Sequence, residues 1–74
     1  MWNGIIKNIQ EVLPLTEEER VELLENPENK YLRLKFQAFL YRENFERLEK
    51  EKNRFAWYFQ EQAIQWANLA EQNK

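Results

Sequence analysis

A chain of 74 residues has room for one domain, and at this size folding removes only about 60% of the unfolded chain's surface from water. Cysteine and histidine are absent, so neither disulfides nor thiolate or imidazole metal sites can reinforce it, which leaves association between chains as the substitute. The net charge of −2 conceals a division, because residues 11–28 hold seven glutamates against Arg20, for −6, whereas residues 30–54 hold eight Lys or Arg against four glutamates, for +4.

Such a division predicts that the two segments lie near each other in the fold or across a symmetric interface; the alternative is that the basic segment faces an acidic partner. Hydrophobic residues at 43% and charged residues at 32% give the composition of a folded domain rather than a disordered one.

In chain order, Trp2, Ile5, Ile6, Ile9, Val12 and Leu13 fall on one helical face, and Asn3, Lys7, Asn8, Gln10 and Glu11 on the other. This pattern predicts a short amphipathic helix over about 2–13, weakened near its start by Gly4 and ended by Pro14. Its apolar face offers the least favoured of three roles, a peripheral membrane factor inserting Trp2 and Ile5. Against that role stands the single Lys7, since interfacial helices carry several basic residues on the polar face. No basic region precedes the isoleucines and no run approaches the roughly 18 apolar residues of a membrane span, so the expected location is the cytoplasm.

Thr16-Glu17-Glu18-Glu19 has the form of a capping box and predicts a second short helix, about 17–25, with Val21, Leu23 and Leu24 for burial. The acidic run reads either as a docking patch for a basic partner or as helix-start chemistry on a solvated face. Its place at the positive end of the helix dipole favours the latter.

Asn26-Pro27 predicts the start of a third helix, asparagine as cap and proline in the first helical position. From Glu28 to Lys74 there is no glycine or proline, and Tyr31, Leu34, Ala38, Tyr41, Phe45, Leu48, Lys52, Phe55, Phe59, Gln62, Trp66, Leu69 and Asn73 keep one mostly apolar seam spaced by threes and fours. Between Tyr31 and Leu40 the opposite side is apolar too, which predicts a stretch covered all round. From Tyr41 to Leu48 only the seam is apolar, and Glu43–Arg47 and Glu46–Lys50 sit in the favourable i,i+4 order of a wet surface. Residues 49–54 contain no apolar side chain.

There the chain either runs on as one rod in a dimeric coiled coil or turns near Asn53. Compactness favours the turn: an all-α helical hairpin or small bundle over residues 1–74, with long antiparallel helices at about 27–51 and 54–72 and the two short helices as a further leg. In the last arm, Phe55, Phe59, Ala63, Trp66, Ala67 and Ala70 make a broad core stripe. Trp57 and Ile64 lie one heptad apart on the other side with Tyr58 at the edge, so these three, with Phe36 and Phe39, are the candidate dimer or partner contacts, unless the short N-terminal helices fold over that face, which is an equal alternative.

The chain also lacks serine and aspartate, and its one threonine is the expected cap Thr16. No pair of glutamates lies on the seam, Glu43 and Glu46 lack the histidine of a di-metal site, and a lone Gly4 makes no phosphate loop. No catalytic, cofactor-binding or metal-ligating residue is therefore assigned, and no enzyme activity is expected. The expected function is a protein–protein interaction module, a small regulator or adapter that pairs with itself and with another protein. A DNA- or RNA-binding accessory protein is the alternative, with Lys30, Arg33, Lys35, Arg42, Arg47 and Arg54 on phosphates and the interleaved aromatics stacking on bases. A sequence pI of 5.2 and the core spacing of those aromatics argue against it.

Overall fold

The structure is a computed structural model that describes residues 5–74, so Trp2 and Gly4 of the expected first helix lie outside the described residues. It holds three α-helices, α1 (Glu17–Glu25), α2 (Lys30–Lys50) and α3 (Ala56–Gln72), and no strand among the described residues. The chain is all-α, with three helices where four were expected.

The missing one is the helix over 2–13. Its described part is a non-helical strap with a single 3₁₀ turn, Ile9–Glu11, opened by the Asn8 side chain accepting from the Gln10 N–H at 3.2 Å. Ile9, Val12 and Leu15 are buried and Ile6 half-buried, an inward set repeating every three residues. Three is the period of a 3₁₀ or threefold extended chain, not the 3.6 of an α-helix. Ile5 and Leu13, which a helix would have placed on the same face, are 40% and 60% exposed. Tertiary bonds hold this form. Asn68 on α3 accepts from the Ile6 N–H at 2.7 Å and donates to the Ile6 carbonyl at 2.9 Å, and the Arg42 guanidinium on α2 donates to the Val12 carbonyl.

α1 begins as its sequence predicts: Thr16 Oγ1 accepts from the Glu19 N–H at 3.1 Å while Glu19 Oε1 accepts from the Thr16 N–H at 2.9 Å. The expected start of α2 at Asn26-Pro27 is displaced by three residues. Asn26 instead closes α1 through its N–H to the Glu22 carbonyl, and the Asn29 N–H returns to the Asn26 carbonyl at 3.1 Å. That makes a β-turn with Pro27 in the second position, where its fixed φ serves as well as at a helix start. Asn29 then caps α2 by accepting from the Leu32 N–H at 3.1 Å.

The chain turns at residues 51–55, and the continuous rod is excluded. The Lys52 N–H bonds the Glu49 carbonyl at 3.0 Å and the Asn53 N–H bonds the Leu48 carbonyl at 2.9 Å, the paired bonds of a Schellman motif. Lys52 takes the left-handed position (φ 56°) that glycine usually fills. Asn53 Oδ1 then accepts from the Phe55 N–H at 2.8 Å and aims the chain into α3. α3 runs back along α2, with the Tyr41 and Phe59 rings 5.7 Å apart, and with Trp66 lining a shallow groove beside Leu34 and Gln37.

Ile9, Val12, Ala38, Phe45, Ala63 and Ala67 form the core cluster. On α2, Ala38, Phe45 and Leu48 of the expected seam are buried, and so is Leu32 from the opposite side. On α3 the seam is rolled toward the alanines: Ala63, Ala67 and Ala70 are buried while Leu69 is 38% exposed. Small side chains let α3 approach α2 closely, and the strap lies over that same side through Asn68. The expectation of a stretch covered all round at 31–40 fails, because Phe36 and Leu40 are each 39% exposed.

Candidate interaction surface

Among the described residues, the exposed apolar side chains include two clusters. The first is a corner at the start of α3, where Phe55, Trp57 and Tyr58 are 57%, 64% and 43% exposed. Trp57 packs edge-to-face on Tyr58 at 6.2 Å and Tyr58 on Phe59 at 5.4 Å, and Phe59 lies tilted against Tyr41 at 5.7 Å. This chain of rings ties the exposed Trp57 to the α2–α3 seam and limits the side-chain freedom it would lose on binding. The Arg54 guanidinium lies 5.8 Å from the Phe55 ring centre, a cation–π distance.

The second surface is a groove of about 350 Å³ between α1 and α2, lined by Leu15, Arg20, Leu23, Leu24 and Phe36. Leu24 is 84% exposed and Val21 51%, against the expectation that α1 buries both, and no residue of α1 is fully buried. Polar bonds hold α1 in place instead. Lys35 Nζ meets both carboxylate oxygens of Glu19, at 2.8 and 2.9 Å, and Asn29 donates to Glu22 at 2.8 Å. Partial burial pushes the Glu19 carboxyl up, but the Lys35 hydrogen bond, the Thr16 N–H and the lysine's charge together outweigh it and hold the carboxyl below the ordinary glutamate value.

Of the candidate contact residues, Trp57, Tyr58 and Phe36 are exposed, and Phe39 is half-buried. Ile64 is half-buried and packs against the core cluster that includes Ile9 and Val12. Trp57 and Ile64 do share a helical face, but the strap anchored one turn beyond Ile64, at Asn68, covers only that end of it.

Of the six candidate phosphate contacts, Lys35 and Arg42 are engaged inside the molecule, with Glu19 and with Val12 and Glu46. Lys30, Arg33, Arg47 and Arg54 are exposed, but scattered from the first turn of α2 to beyond its end. Sequence reasoning missed Leu15, whose place in the every-third-residue series was the available signal, and Asn68, for which there was none.

Among the described residues, no group of three or more His, Cys, Asp or Glu is placed to hold a metal ion, and no helix is long and apolar enough to cross a membrane. Compared with known proteins, the chain matches no family model, no curated protein and no solved structure, so no functional residue is carried over from a relative.

Proposed function

We propose that the protein is a non-enzymatic protein–protein interaction module, a small regulator or adapter that associates as a homodimer through the aromatic corner at the start of α3. The observation that carries this reading is Trp57, 64% exposed yet held by edge-to-face packing on Tyr58. A large exposed aromatic is a common kind of interface anchor, because it removes much apolar area for few rotatable bonds. The small size of the chain supports the same reading, since a domain of this length gains stability by covering such a surface.

Light scattering on a sizing column tests it. The wild-type chain is expected to approach the mass of two chains as concentration rises. Trp57→Ala is expected to weaken pairing about 30-fold or more, the scale of a 2 kcal/mol hot spot. A wild type that keeps the mass of one chain at every concentration sinks the homodimer.

A further inference from the structure

We infer that the occupant of the α1–α2 groove is the aromatic corner of a second copy of this chain, inserted reciprocally so that each copy's Trp57 sits between the other's Leu24 and Phe36. This inference rests on the proposed self-association and names its contact surfaces.

Three observations converge on it. The groove and the corner are complementary in hydropathy: Leu15, Leu23, Leu24 and Phe36 line the one, and Phe55, Trp57 and Tyr58 project from the other. The turn that leads into the corner is also opposite in charge to α1. α1 carries five glutamates against Arg20, whereas residues 50–54 carry Lys50, Lys52 and Arg54 against Glu51, with Glu49 before them and Glu61 one helical turn past Trp57. Inside one chain this complementarity is used once, by Glu19 and Lys35. Glu17, Glu18 and Glu25, like Lys50, Lys52 and Arg54, take part in none of the ion pairs found among the described residues. Finally, the corner cannot reach its own groove. Phe36 and Lys50 are both on α2, and fourteen residues at 1.5 Å each put them about 21 Å apart along its axis.

Arg20, the one basic group in the groove lining, suits an indole: a guanidinium stacks on an aromatic face. The symmetric alternative, α1 of one copy on α1 of another, would place like charges together. A reciprocal corner-in-groove contact also closes on itself, residue i meeting j and j meeting i about a twofold axis.

The test uses two full-length variants that each retain one half of the contact. Trp57→Ala keeps the groove, and Leu24→Arg, at a side chain 84% exposed and therefore harmless to folding, keeps the corner. Each alone is expected to show at least a tenfold loss of pairing. Titrating unlabelled Leu24→Arg into ¹⁵N-labelled Trp57→Ala is expected to shift the amides of Leu23, Leu24 and Phe36, whereas unlabelled Trp57→Ala leaves them in place. Raised salt is expected to reduce the shifts.

Wild-type pairing that survives Leu24→Arg, or a mixture with no groove shifts, overturns the inference and leaves the homodimer standing. A wild type with no self-association overturns both. A groove that answers only to an added basic amphipathic peptide, in a single-chain wild type, assigns it to another protein and overturns the second copy as occupant.

Discussion

At the scale of single residues, two side chains set the geometry that exposes the corner. Lys52 closes α2 in the left-handed region, at a cost of about 1–2 kcal/mol that glycine would not bear. Glycine returns part of that through its freer unfolded chain, so Lys52→Gly is expected to raise unfolding stability by about 0.5–1 kcal/mol, measured by urea denaturation. Asn68 acts in the opposite sense. Its amide meets both backbone groups of Ile6, and Asn68→Leu, which leaves them unpaired in a half-buried place, is expected to cost about 1–3 kcal/mol and to speed amide exchange at Ile6. The turn was legible in the polar run 49–54 and in Asn53, but not its Schellman closure, because a lysine in the left-handed position leaves no compositional mark. Asn68 was illegible for a different reason: its partner is a backbone 62 residues away, and a backbone carries no sequence signal.

At the scale of elements, α1 is the weakly held part. It buries no residue fully, and nine residues are too few for a helix to persist alone. Its attachment runs through Glu19. Because the folded carboxyl titrates below its unfolded value, the contribution of the Lys35 pair is present above the ordinary glutamate range and is lost as pH falls through the lowered folded value. Amide exchange in α1 is therefore expected to accelerate at acid pH in the wild type. Glu19→Gln, which preserves the capping box, is expected to show the faster exchange already at neutral pH and little further change. The cap of α1 was readable directly, since Thr16 and Glu19 are close in sequence and their bonds are local. The strap was misread because Ile6, Ile9 and Val12 fit periods of both 3 and 3.6. Only Leu15 beyond Pro14 separates the two, and a helix ended by proline gave no reason to look past it.

At the scale of the whole molecule, the described residues span 37 × 31 × 16 Å. A body about 16 Å through one axis has little interior, which is why the largest side chains fully removed from water are Leu32 and Val12. Alanines fill much of the α2–α3 contact, and the large apolar groups are displaced outward to the corner and the groove. The α2–α3 seam and the exposure of Trp57 were both visible in the spacing of the sequence. The groove was not, because α1 and α2 meet through an ion pair and a polar turn rather than through matched apolar faces. On the proposed pairing, covering these two surfaces supplies burial that one chain lacks, with Trp57 lying between two copies. Isotope-filtered NMR on an equal mixture of ¹³C,¹⁵N-labelled and unlabelled wild-type chains tests this most directly. Cross-peaks between the Trp57 indole protons of one chain and side-chain protons of the other are the expected result; Trp57 protons that meet only their own chain at every concentration contradict it.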